Sequence, residues 1–132
     1  MLKNFPLFAY IPARDVARAR AFYEGKIGLE PSIELPNGVA YEFAEGTGCF
    51  LYDAGKSAGT SKASQAFWRV DDVAREVATL RGRGVVFEHY DAAQIPGMTM
   101  KGDIAEGGGT RAAWFKDPEG NIMALIQPLD AN

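Results

Sequence analysis

The sequence predicts an α+β protein built from two tandem βαβββ modules, and three observations carry that expectation. Asp15-Val16-Ala17-Arg18 recurs as Asp72-Val73-Ala74-Arg75, 57 positions on, and the same spacing maps Ala21 onto Ala78 and Gly25 onto Gly82. Self-similarity at a fixed spacing marks a duplicated structural unit. An apolar run of strand character precedes each copy, Leu7-Phe8-Ala9-Tyr10-Ile11 and Ala66-Phe67-Trp68-Arg69-Val70. Short strand signals separated by Gly- and Pro-containing turns follow each copy. The modules cover residues 1–56 and 65–132, with a linker at 57–64 inside the Gly- and Ser-rich stretch from Asp53 to Ser64.

The elements follow in order. Asp15 and Asp72 suit helix N-caps, because a carboxylate there accepts backbone N–H bonds at the positive end of the helix dipole. Each helix is expected to stop near a glycine, Gly25 or Gly82, which tolerates the left-handed conformation of a C-cap. In the first half Leu29 to Leu35, Val39 to Phe43 and Cys49 to Tyr52 read as strands, parted by Pro36-Asn37-Gly38 and Gly46-Thr47-Gly48. In the second half Val85 to Tyr90, Arg111 to Phe115 and Ile122 to Gln127 read as strands, the last two joined by Asp117-Pro118-Glu119-Gly120-Asn121. Gln94 to Gly109, with Pro96-Gly97 and Gly107-Gly108-Gly109, reads as a long mobile loop.

Composition narrows the function classes. With 47% hydrophobic and 23% charged residues the chain is an ordinary globular sequence. Its net charge of −3, with 14 basic residues scattered among 17 acids, gives no electrostatic reason to bind nucleic acid. No apolar run is long enough to span a bilayer, and the start lacks the apolar core of a signal peptide. A single cysteine, Cys49, makes no internal disulfide and reads as a buried small apolar residue. Together these favour a cytoplasmic protein. The glycine triplet does not open a helix after a strand, so it is not a phosphate-binding loop.

Three stretches carry a resemblance to a known family. They are Ala13-Arg14-Asp15-Val16-Ala17-Arg18 with Phe22-Tyr23, then Gly28-Leu29, and Trp114-Phe115-Lys116-Asp117-Pro118-Glu119-Gly120-Asn121. The chain resembles, over nearly its whole length, the vicinal oxygen chelate superfamily of glyoxalases, bleomycin-resistance proteins and extradiol dioxygenases. The resemblance implies curved mixed sheets forming a cleft, and homodimers that sometimes exchange an arm or a module. In metal-dependent members one residue from the first and one from the last strand of each module hold a divalent ion.

The resemblance implies a first-strand ligand seven residues before each capping acid, which from Asp15 and Asp72 gives Phe8 and Gln65. It implies a last-strand ligand four residues after the turn glycine, which from Gly48 and Gly120 gives Tyr52 and Ala124. Phe and Ala have no donor atom, and an amide with a phenol makes a poor divalent site, so no metal and no cofactor are expected. The lone histidine, His89, lies outside these strands and reads as a surface or strand residue.

Period-two alternation places Phe8 with Tyr10, Phe50 with Tyr52, and Gln65 with Phe67 and Arg69 on cleft-facing sides, together with Ala124. Trp114 reads as pocket lining or as core, and Arg69 as a cleft group or as a surface partner of Asp71 or Asp72. An aromatic-lined pocket with a few polar groups is the constitution of a small-molecule site. The expected function is metal-free binding of an aromatic or cationic drug-like molecule, closest in character to the bleomycin-resistance branch. The alternatives are a glyoxalase-type lyase or isomerase, or an extradiol-type dioxygenase, with a non-standard site. A further alternative is a dimeric interaction module.

Overall fold

The duplicated aspartates cap the two helices in the same way. Asp15 accepts a hydrogen bond from the Arg18 backbone N–H at 3.0 Å, and Asp72 accepts from Arg75 at 3.1 Å. The helices they start, α1 (Val16–Gly25) and α2 (Val73–Gly82), are offset by the same 57 positions as the sequence repeat. This computed structural model describes residues 1–129, and the chain divides into two units. Unit 1 holds Met1–Lys62 with Asp117–Asn121; unit 2 holds Ala63–Lys116 and the chain from Ile122 onward.

Unit 1 is a four-stranded sheet with α1 against one face. Its strands are β1 (Phe8–Ala13), β2 (Pro31–Leu35), β3 (Gly38–Glu42) and β4 (Gly48–Asp53), in the order β1-β4-β3-β2. β1 runs parallel to β4, and the other pairs are antiparallel. Alternate residues Ile11, Ala13, Val39, Tyr41, Cys49 and Leu51 are buried with Ala19 and Tyr23 of α1. Burial pushes the Cys49 thiol up to about 11, which keeps it a protonated core residue at neutral pH.

Unit 2 has five strands: β5 (Ser64–Arg69), β6 (Thr99–Lys101), β7 (Ile104–Gly107), β8 (Thr110–Lys116) and β9 (Ile122–Pro128). Their order is β5-β9-β8-β7-β6, with β5 parallel to β9. Val73 and Val77 of α2 are buried, as are Ala113, Phe115, Met123 and Leu125 of the sheet. Trp68 stacks on Phe115 with ring centres 6.4 Å apart. The Gln127 side chain accepts the Val73 N–H at 3.0 Å, adding a second cap to α2.

Unit 2 departs from the sequence expectation in two places. Within the expected loop from Gln94 to Gly109, Thr99–Lys101 and Ile104–Gly107 pair as an antiparallel hairpin around Gly102-Asp103. The expected strand Val85 to Tyr90 forms only a bridge, Phe87 opposite Phe115, with one further bond from the Glu88 N–H to the Trp114 carbonyl. β7 occupies the edge of β8 along Thr110–Ala112, so the earlier segment finds only the far end of that edge free to pair.

The helix ends also differ. Gly25 and Gly82 close their helices without a positive φ; the left-handed residues are Gly28 (φ 86°) and Gly84 (φ 93°), each slightly further on.

The Asp117–Asn121 turn is the polar centre of unit 1. Asp117 accepts bonds from the Glu119 and Asn121 N–H groups, both at 2.9 Å, and from the Tyr23 hydroxyl at 2.7 Å. Asn121 donates to the Pro12 carbonyl of β1 at 2.7 Å. Glu119, whose side chain is fully shielded from solvent, accepts from the Arg14 and Asp15 N–H groups at 2.7 and 2.9 Å. It also accepts from the Arg18 guanidinium at 2.7 Å. Burial pushes its carboxyl pKa up, yet Arg18 and the two backbone donors outweigh that and hold it below the usual range. Gly59 completes the packing: it adopts φ +70°, and a Cβ there would run into the Glu119 carbonyl oxygen.

Removing the Glu119 carboxylate strands buried donors, so Glu119→Ala is expected to cost about 3 kcal/mol in chemical denaturation. Because the folded-state pKa is lowered, the carboxylate's contribution is full above the unfolded value of about 4.3 and fades as pH falls through the folded one. The variant should therefore lose stability less steeply than the parent on acidification below that value. Parallel pH profiles of the two would contradict the assignment.

Candidate ligand-binding sheet faces

The face of each sheet away from its helix carries the expected site residues. In unit 1, Tyr10 lies opposite Phe50, and Phe50 opposite Ala40; one step along, Pro12, Tyr52 and Gly38 form the next row. Phe8 is 42% and Tyr10 62% exposed, while Ile11 between the β1 rows is 1% exposed. The rings touch one another: Tyr10 sits 5.1 Å from Tyr52 and 6.2 Å from Phe50, and Phe50 stacks on Tyr52 at 6.1 Å. Phe8, Tyr10, Phe50 and Tyr52 thus share one face, where Ile33 and Leu35 of β2 extend the apolar surface.

In unit 2 a single row crosses three strands, Phe67 opposite Ala124 and Ala124 opposite Trp114. Ala124 and Ala112 are nearly fully buried, whereas Phe67 is 62% exposed. Arg69 stands one row further, opposite Ile126. Among the described residues its guanidinium forms no ion pair or hydrogen bond, with neither Asp71 nor Asp72 serving as partner. The carboxylate near this row, Glu88, pairs with Lys116 at 3.5 Å. Trp114 belongs to this face and meets Tyr90 edge-on at 5.3 Å.

Two positions shift from where counting along the sequence puts them. Gly48 is the first residue of β4, whereas Gly120 lies in the turn before β9, so the two glycines are not equivalent. The equivalent of Gly120 (φ 88°) is Gly46 (φ 77°), and four residues beyond Gly46 is Phe50. The strand pairing agrees, since Tyr10 faces Phe50 as Phe67 faces Ala124. Tyr52 instead lies opposite Pro12, four residues along the ladder from Phe8, or about 13 Å at roughly 3.3 Å per residue. Gln65 sits at a bulge: Ser64 faces Ile122 and Ala66 faces Met123, so strict alternation from Phe67 does not reach it.

The four positions that the resemblance assigns to metal ligands thus hold Phe8, Phe50, Gln65 and Ala124, a set with one amide as its only polar side chain, and these residues do not fit a divalent ion. Among the described residues no three His, Cys, Asp or Glu side chains gather to hold a metal. No helix among them is long and apolar enough to cross a membrane.

Two polar features were not legible beforehand. His89 Nε2 lies 2.6 Å from Asp103 Oδ1, and Arg81 holds the other oxygen at 2.6 Å. The His89 hydrogen bond, and then Arg81, lowers the Asp103 pKa. His89 is thereby a tie between the Val85–Tyr90 segment and the β6–β7 turn. The second feature is the Tyr90 hydroxyl, a buried oxygen with no hydrogen-bond partner among the described residues. Its pKa is raised by burial and then by Glu88.

Unit 1 also contains a groove of about 550 Å³ at the start of α1 and the β2–β3 turn, lined by Arg14, Asp15, Arg20, Glu34, Asn37 and Asp53 among others. Arg20 in this groove is already paired with Glu24 and Glu34, both at 2.6 Å.

No family model and no curated protein matches the chain. Solved structures do. TnmS3, an antibiotic binding protein from Streptomyces sp. CB03234, is similar with 23% identity over 93% of each chain and a TM-score of 0.65. A glyoxalase/bleomycin resistance protein from Catenulispora acidiphila DSM 44928 is 22% identical over 93% of this chain and 97% of its own, with a TM-score of 0.69. Lactoylglutathione lyase from Agrobacterium tumefaciens is 17% identical over 93% and 91%, with a TM-score of 0.63. The fold is that of the glyoxalase, bleomycin-resistance and dioxygenase proteins of the vicinal oxygen chelate superfamily.

A buried hydroxyl without a partner costs about 1–3 kcal/mol relative to an apolar edge. Tyr90→Phe should therefore leave the melting temperature of the free protein unchanged or raise it. A clear drop would show that the hydroxyl is bonded in solution.

Proposed function

We propose that the protein binds a flat, largely apolar organic molecule on its open aromatic sheet faces, without a metal ion and without chemistry. The observation that carries this reading is the exposure of Phe8, Tyr10 and Phe67 on faces whose neighbouring rings already touch. Clustered exposed aromatics offer stacking surface and mark interaction sites. The similarity to TnmS3, an antibiotic binding protein, supports the same reading. A lyase like the Agrobacterium protein is the second reading, and the donor-poor set Phe8, Phe50, Gln65 and Ala124 weighs against a metal-assisted version of it.

The protein is further proposed to act in the cytoplasm as a homodimer. Its exposed apolar residues Met1, Leu2, Phe5 and Leu7 supply surface for a second copy. Light scattering should give twice the monomer mass, and a monomer at micromolar concentration would contradict it.

A thermal-shift screen with polycyclic aromatic compounds tests the binding reading, because a ligand specific for the folded state raises the melting temperature. Phe67→Ala removes an exposed ring and should change the stability of the free protein by less than about 0.5 kcal/mol. Tyr10→Ala also breaks ring contacts with Phe50 and Tyr52 and should cost about 1 kcal/mol. At least one of them should weaken binding about fivefold, the loss expected for one stacking contact. Hits whose shifts survive both substitutions would place the site elsewhere.

A further inference from the structure

Resting on the binding reading above, we propose that the ligand of the unit 2 face is an aromatic molecule bearing an anionic oxygen, such as a carboxylate or an ionised phenol, with Arg69 as its counter-charge. Of the aromatic or cationic ligand expected from the sequence, this keeps the aromatic part and reverses the charge.

The argument is one of complementarity on a single sheet face. Phe67, Ala124 and Trp114 form a row across β5, β9 and β8, with two rings flanking a buried alanine. Arg69 follows Phe67 by two residues on the same strand, so both side chains leave the same side of the sheet. Its guanidinium is exposed and unpaired among the described residues, and it brings five donors and no acceptor.

The nearby charges do not cancel it. Glu88 pairs with Lys116, and Asp72 is engaged in capping α2. The Tyr90 hydroxyl is buried beside Trp114 and both donates and accepts, so it does not set the sign of the face. The open donor of the face is the Arg69 guanidinium. A cation stacked there meets Arg69 as a like charge, whereas an anionic oxygen accepts a charge-assisted, two-pronged bond from it. The aromatic row sets the rest of the ligand: a flat ring system that lies against Phe67 and Trp114.

Three probes of matched shape separate the possibilities: anthracene-9-carboxylate, 9-anthracenemethanol and the 9-anthracenylmethylammonium ion. Binding to the full chain is followed by calorimetry. The proposal expects the carboxylate to bind most tightly and the ammonium ion most weakly. Arg69→Gln should weaken the carboxylate about tenfold and leave the alcohol within twofold, with an unchanged melting temperature. Arg69→Lys, which keeps the charge and loses the fork, should fall between. Raising the salt concentration should weaken the carboxylate alone.

If the alcohol or the ammonium ion binds as well as the carboxylate, the binding reading stands and the anionic assignment is overturned. The same holds if the carboxylate binds best but Arg69→Gln leaves it unchanged. If none of the three binds, both proposals fail together.

Discussion

Two carboxylates in one five-residue turn organise the first half of this protein. Asp117 and Glu119 are separated in sequence from the residues they hold by about a hundred positions, yet both are buried in unit 1. Glu119 binds the backbone where β1 gives way to α1, and Asp117 anchors Tyr23 on the buried side of that helix. Asn121 ties the same turn to the Pro12 carbonyl. Once the end of β1 is held there, alternation decides the rest: Ile11 and Ala13 point inward, and Phe8 and Tyr10 point out. The exposed aromatic face is thus a consequence of where a buried ionic turn pins one strand. A buried ion pair is not a large net source of stability, because desolvation offsets most of its attraction. Its effect lies in register, since no apolar substitute would hold two backbone N–H groups and a guanidinium at once.

The chemistry of the two open faces follows from what the strands place there. The positions that the resemblance assigns to metal ligands carry rings, an alanine and an amide at a bulge. Rings and methyl groups offer contact area against which the proposed ligand would lie. The His89–Asp103–Arg81 cluster is the arrangement closest to an acid–base pair, yet its parts are joined to one another in a surface tie.

Much of this was legible in the sequence because it rests on local chemistry repeated twice. The two capping aspartates, the helices that follow them and the βα register of each half are set within a dozen residues, and the 57-residue spacing shows them twice over. What escaped depends on competition between distant segments. Thr99–Lys101 and Ile104–Gly107 lie among glycines and read as loop, but they win the edge of β8 that Val85–Tyr90 was expected to take. The misplaced Tyr52 has a local cause: a short helical turn at Ala44–Gly46 puts Gly46, not Gly48, at the turn position. Gln65 lost its place to a bulge, which no alternation pattern reveals. The unpaired state of Arg69 among the described residues has no sequence signal, because Asp71 and Asp72 stand close to it in the chain.

The central claim is that the open aromatic row of unit 2 is a ligand surface. Backbone amide chemical-shift mapping during titration with anthracene-9-carboxylate tests it most directly. The account predicts that the largest saturable changes fall on β5, β8 and β9 around Phe67, Arg69, Trp114 and Ile126. Saturable changes confined to the groove beside Arg14, Arg20 and Asn37 would contradict it, because the binding site would then lie in unit 1, at the start of α1.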